Sequence, residues 1–258
     1  MATIYTIEGK EEKTIELPEM FSYKINEPLI KRAVIAERSY ILQPQGHYVL
    51  AGLQTTAKYF GRMNSYRSGR HMGIAIRPRE KLGDGRQGKV KKIPSATKGK
   101  RAHPNMIQKK LVEKMNNIEY QNALISSISA SKKFIIVNND IEKINKTKDI
   151  LKVLDNLNLG NIVEEGRKMH IRKGLRRKSN RRHFKKTLLL VFNEDKGALK
   201  AARNVPGIDV CLLNGLTVNA LAPGGVPGRI TLWSEGAVNN AEKIISRLVL
   251  SKQAKYVK

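Results

Sequence analysis

Cysteine is nearly missing from this chain. Only Cys211 occurs in 258 residues, which excludes a disulfide framework and any cysteine-rich zinc site and fits a reducing, cytosolic compartment. Acidic residues are scarce as well: 22 Asp and Glu stand against 49 Lys and Arg, a formal charge of +27. Self-repulsion at that charge weakens an isolated fold, so a polyanionic partner is expected. Aromatic residues make up 5 % of the chain, too few for a single-strand stacking platform that uses many rings. Long apolar runs are absent too, the longest being Leu188 to Phe192. The first residues alternate apolar with polar, so neither a signal peptide nor a membrane span is expected.

What the chain does contain is one domain's worth of hydrophobic residues, 40 %, in alternating strand and helix patterns. Residues 2–8 alternate as a strand, Gly9-Lys10 turns, and a second short strand is expected around Thr14 to Leu17. Helical spacing predicts a helix from Pro28 to about Gln43, another over His47 to Tyr59, and one from His103-Pro104 to near Ser129. Phe134 to Asn138 and Lys186 to Phe192 are continuous apolar runs, as expected of strands buried on both faces. Between them Ile150, Leu151, Leu154 and Leu157 mark a helix, with Gly160 as the turn after it. A short helix at about Lys196 to Asn204, strands at Asp209 to Leu212 and Arg229 to Trp233, and a last helix capped by Ser234 complete the pattern. This alternation predicts an α/β fold: a three-layer globular domain with a central, mostly parallel sheet. No internal repeat is visible.

Two basic blocks interrupt it. Residues 61–104 hold thirteen Lys or Arg, two acids and seven Gly, a composition that cannot offset roughly 1–2 kcal/mol per residue of ordering entropy without a partner. With helices expected on both flanks, it reads as a long extended loop inserted in a globular domain of residues 1–60 and 105–258. Residues 166–186 form a second basic loop, with eleven Lys or Arg and no acid. Two such blocks on one core suggest a broad phosphate-binding surface for structured RNA. The candidate RNA-binding residues in the first block are Arg62, Arg67, Arg70, His71, Arg77, Arg79, Lys81, Arg86, Lys89, Lys91, Lys92, Lys98, Lys100, Arg101 and His103. Those in the second are Arg167, Lys168, Arg172, Lys173, Arg176, Arg177, Lys178, Arg181, Arg182 and Lys185. Arg suits these positions because its forked donors match phosphate oxygens and its plane stacks on bases.

Catalytic signatures fail on inspection. Gly83, Gly85 and Gly88 match a dinucleotide-binding pattern in letters, yet neither an apolar strand before it nor a helix after it is present. The five histidines are scattered without metal-ligand spacing, and Cys211 in a strand reads as a small buried residue. Neither a cofactor nor a metal is expected. An RNA-modifying enzyme of methyltransferase type is the alternative, but it requires a glycine-rich turn after a strand, whereas Gly224-Gly225 precedes one.

Four segments carry a family resemblance: Lys58-Tyr59-Phe60-Gly61-Arg62, Arg77-Pro78-Arg79-Glu80-Lys81, Gly99-Lys100-Arg101-Ala102-His103-Pro104, and the run from Ala222-Pro223-Gly224-Gly225 to Trp233-Ser234-Glu235. In these the chain resembles the universal large-subunit ribosomal protein family L-four, the L-one-e group. The archaeal form is expected, since the chain runs to Lys258 without the long basic tail of the eukaryotic relatives. The resemblance implies a non-enzymatic structural protein of the cytoplasmic ribosome that binds ribosomal RNA and neighbouring large-subunit proteins, and supports subunit assembly. It also implies that the long loop threads through RNA to the peptide exit tunnel. Its tip, Arg79, Glu80, Lys81, Gly83, Asp84, Gly85 and Arg86, would then face the nascent peptide. Two limbs of about 22 residues at roughly 3.3 Å each could reach about 70 Å.

Overall fold

Leu188–Phe192 is buried along its whole length, so both faces of this strand need a helical cover. A computed structural model, which describes residues 2–59, 61, 63, 73–83, 86–172 and 181–243, supplies both. Contacts divide the chain into two compact units, Met1–Ile41 with Val112–Lys258, and Leu42–Leu111.

The first unit is built on a six-stranded sheet. In chain order its strands are β1 (Ala2–Tyr5), β2 (Glu11–Ile15), β5 (Phe134–Val137), β8 (Leu188–Phe192), β9 (Ile208–Leu212) and β10 (Ile230–Ser234), arranged β2-β1-β5-β10-β8-β9. β1 and β2 are antiparallel and every other pair is parallel. The expected α/β architecture is thus the observed one. Strand periodicity of two sorts the core into two clusters. Ile136, Leu189, Val191 and Trp233 face one side with α1 (Glu27–Ile41), α2 (Asn117–Ser129), α6 (Val218–Leu221) and a last helix, α7, at 235–243. Ile135, Leu188, Leu190, Phe192 and Leu232 face the other, under α3 (Thr147–Asn156), α4 (Gly160–Arg167) and α5 (Ala198–Arg203). Each fully buried Leu or Phe contributes roughly 1.5–3 kcal/mol.

Buried and half-buried polar side chains fix how the elements meet. The Glu37 carboxylate on α1 accepts from the backbone N–H groups of Val218 (2.8 Å) and Asn219 (2.9 Å) and from the Tyr120 hydroxyl (2.5 Å), tying α1, α2 and α6 together. Glu142, 2 % exposed, accepts from Asn193 N–H and the Ser234 hydroxyl and so holds the C-terminal ends of β8 and β10.

Several expectations fail, each for a local reason. No helix covers 47–59: Pro44 disfavours helix continuation beyond Ile41, and Gly52 at φ +79° breaks the periodic stretch. The helix expected from 104 begins only at Asn117, with Asn116 extended (φ −66°, ψ 147°). The start of its stripe is poorly covered, since Ile107 is 70 % exposed. Gly160 does not merely end a helix but starts α4. Residues 166–186 are not simply a loop, because β6 (Met169–Arg172) and β7 (Arg181–Phe184) pair as an antiparallel hairpin. The extended loop likewise contains a hairpin, β3 (Arg79–Lys81) with β4 (Gln87–Val90).

Candidate nucleic-acid interface

Within residues 42–111, backbone pairing does what apolar burial cannot. Arg79 pairs with Val90 and Lys81 with Gln87, with a register shift between them. Lys58 joins the ribbon through two backbone hydrogen bonds with Arg79, both 3.2 Å, and the Lys91 N–H donates to the Pro78 carbonyl at 3.0 Å. The ribbon is therefore lined by Lys58, Arg79, Lys81, Lys89 and Lys91, with Arg86 at the turn. Arg77, Lys81, Gly83, Arg86 and Lys89 are exposed, and Arg79, Glu80 and Lys91 are half-buried.

Beyond β4 the chain folds back in tight turns, Ala96 N–H to Ile93 O and Gly99 N–H to Ala96 O. Two candidate lysines, Lys92 (φ 66°) and Lys98 (φ 57°), sit in the left-handed region, which costs a side-chain-bearing residue roughly 1–2 kcal/mol. Gly99 has no room for a side chain, since a Cβ there would lie 2.0 Å from the Ile93 carbonyl oxygen. Gly52 faces it, where a Cβ would lie 2.1 Å from the Gly99 oxygen. This approach brings the 99–103 segment beside the 47–52 turns. There the Arg101 guanidinium lies 2.8 Å from His47 Nε2, and His47 N–H donates to the Asn105 carbonyl. Lys98, Lys100, Arg101 and His103 are exposed; Lys92 is half-buried.

Among the described residues, no ion pair is made by Arg77, Arg79, Arg86, Lys89, Lys91, Lys92, Lys98, Lys100 or Arg101. Uncompensated cations on a backbone ribbon are an electrostatic footprint for a polyanion. Of the sequence-predicted residues, Arg62, Arg67, Arg70, His71, Asp84, Gly85, Lys173, Arg176, Arg177 and Lys178 lie outside the described residues.

The second candidate block belongs to the first unit. β6 and β7 pair His170 with His183, Ile171 with Arg182 and Arg172 with Arg181. Like charges directly opposite one another disfavour a hairpin. Arg167 and Lys168 are exposed where the strand leaves α4. The hairpin's base is held by Lys185 bound to Glu165, whose carboxyl that hydrogen bond and the charge of Lys185 hold below the usual range. Gly207 is essential to the same base: its φ is +85°, and a Cβ would lie 2.5 Å from the Gly166 Cα.

Next to this base, Asp209 on β9 accepts from Lys186 at 2.9 Å and from the buried Arg229 at 2.8 Å. Burial pushes the Asp209 carboxyl up, but the hydrogen bonds and charges of Lys186 and Arg229 outweigh it and hold it below its ordinary value. Burial likewise pulls the Arg229 guanidinium down, opposed by Asp209. The Cys211 thiol is pushed up to about 12 by burial, the opposite of an activated nucleophile. No cluster of metal-ligating residues occurs among the described residues, and none of their helices is long and apolar enough to cross a membrane. Lys58 was missed as a ribbon residue, because its role depends on pairing with Arg79, 21 positions away, which no local pattern reports.

An α/β body carrying strongly cationic hairpins defines a scaffold for a structured polyanion. Residues 15–244 match the ribosomal protein L4/L1 family. The chain is 34 % identical to the large ribosomal subunit protein uL4 of Sulfurisphaera tokodaii over 93 % of each chain. It is 34 % identical to that of Archaeoglobus fulgidus, over 92 % of this chain and 96 % of the relative. It is 35 % identical to that of Methanospirillum hungatei, with the same coverage. The chain belongs to the ribosomal protein L4/L1 family, in its archaeal form, and so to the structural proteins of the ribosome and not to its enzymes. The methyltransferase alternative has no support, and Gly224-Gly225 does lie ahead of β10 and not after a strand.

Proposed function

We propose that this chain is built into the large ribosomal subunit by its two cationic segments, which grip ribosomal RNA and hold several of its helices together during assembly. The supporting observation is the set of exposed cations Arg77, Arg86, Lys89, Lys98, Lys100 and Arg101, which no carboxylate among the described residues neutralises. Together with Arg79, Lys81, Lys91, Lys92 and His103, these would contact RNA in one segment. Arg167, Lys168, Arg172, Arg181, Arg182 and Lys185 would do so in the other. In the test, tagged chain is expressed in an archaeal host and its large subunits are purified. It is expected to co-sediment with them and to yield ultraviolet cross-links from residues 86–101 to large-subunit RNA; a chain left in the soluble fraction overturns the reading.

The tip Arg79 to Arg86 is proposed to reach the exit tunnel, with Glu80, Lys81 and Gly83 toward the nascent peptide. Deleting Lys81 to Gly88 shortens the hairpin without touching the body. Incorporation is expected to stay near wild type while cross-links between nascent chain and this protein fall severalfold. Unchanged nascent-chain cross-links would place the tip elsewhere.

A further inference from the structure

The two ends of the six-stranded sheet differ. At one, β2 carries exposed Glu11, Glu12 and Lys13, and the β1 strand it pairs with has a register shift between Ile4 and Tyr5. Charge and irregularity are the ordinary means by which an edge resists further pairing. At the other, β9 pairs with β8 in unbroken parallel register and has Ile208 buried and Asp209 to Leu212 half-buried. Its single charge, Asp209, is already bound by Lys186 and Arg229.

A cavity of about 520 Å³ runs along the β9 edge. One wall is Leu199 and Arg203 of α5, which covers one face of the sheet; the other is Thr217, Asn219 and Ala220 at α6, which covers the opposite face. Val210 and Cys211 of β9 line the space between them. Among the described residues, a slot bounded by both helical layers and by the last strand occupies the position of a next strand.

We infer that β9 is an acceptor edge, and that an extended segment of a neighbouring large-subunit protein pairs with it, places an apolar side chain against Leu199 and Val210, and carries acidic residues beside it. Strand addition takes its affinity from main-chain hydrogen bonds and its specificity from side-chain pockets, and the slot offers both. Lys186 and Arg203 line it beside one carboxylate, Asp209, which Lys186 and the buried Arg229 already bind, so Arg203 is left to favour acidic flanks. A nucleotide fits less well: no aromatic ring among the described residues lines the cavity on which a base could stack. The inference rests on incorporation into the large subunit, which co-sedimentation tests separately.

Hydrogen exchange followed by mass spectrometry on the peptide spanning 208–212 decides it, comparing the free full-length chain, its complex with protein-free large-subunit RNA, and the complete subunit. The β9 amides are expected to slow at least tenfold only in the complete subunit. A photo-reactive residue in place of Leu199 is expected to join one segment of one ribosomal protein there, and Arg203→Glu, an exposed change, to reduce that yield severalfold. Protection by RNA alone assigns the slot to RNA. Concentration-dependent protection in the free chain assigns it to a second copy, and no protection in the subunit leaves it solvated. Each of these, or a yield indifferent to Arg203→Glu, overturns the inference.

Discussion

Replacing Arg77, Arg86, Lys89, Lys98, Lys100 and Arg101 together by Ala is expected to flatten the salt dependence of binding to large-subunit RNA by about 4 to 5 in the log–log slope. Each phosphate deprived of its cation accounts for roughly 0.7–0.9 of that change. Near 0.1 M salt the same reduction in counterion release weakens binding by about a thousandfold or more. All six side chains are exposed and none is engaged by a carboxylate among the described residues, so removing them takes no ion pair from the fold. Lys10, Lys143 and Lys152 make the contrasting set. They are paired with Glu8, Asp140 and Asp149, and their replacement by Ala is expected to change the slope by less than a third as much. Equal slopes for the two variants, measured by filter binding across a salt series, would show that the ribbon carries no special share of the RNA interface.

Arg229→Leu is expected to destabilise the folded protein by about 3–5 kcal/mol, the range for breaking a buried pair from one side. The side chain is 1 % exposed. Its Nη1 donates to Asp209 (2.8 Å) and the Ala220 carbonyl (2.7 Å), and its Nη2 donates to the Leu188 carbonyl (2.7 Å). One guanidinium thus fastens the start of β8, β9 and α6 to the start of β10. Leucine fills the volume but takes a donor from each of two carbonyls and leaves the carboxylate with Lys186 alone. The Asp209 carboxyl lies below its unfolded value. Its stabilising contribution is therefore present above the ordinary Asp range and is lost as pH falls through the lower, folded value. Urea unfolding should show a lower midpoint for Arg229→Leu and a shallower loss of stability on acidification. An unshifted midpoint would remove Arg229 from the account of what holds the sheet together.

Much of the body was legible because its elements carry their own signal. Leu188 to Phe192 and Phe134 to Val137 are apolar without interruption, and the stripe Ala237, Ala241 has helical spacing, so strand, helix and the parallel arrangement follow from the residues alone. The segments 47–59 and 104–116 misled for the complementary reason. Their spacing is periodic, but a stripe makes a helix only where another surface covers it, and Ile107 is poorly covered. The hairpins could not be read, because Arg79 opposite Val90 and Arg172 opposite Arg181 are pairings set by backbone hydrogen bonds between very short, mostly polar strands. Composition singled out the cations; only coordinates show that Lys58 lies beside Arg79, and that Gly52 and Gly99 bring Arg101 to His47.

The register that sets Arg172 against Arg181 makes added electrolyte act in two directions on one hairpin. Screening relieves the repulsion among its many positive charges and so favours closure of the unbound strands. On the proposed function it would also weaken their hold on phosphate. On that reading, the ionic strength that best prepares this arm would be higher than the one at which it grips most tightly, and assembly would proceed at a compromise between them.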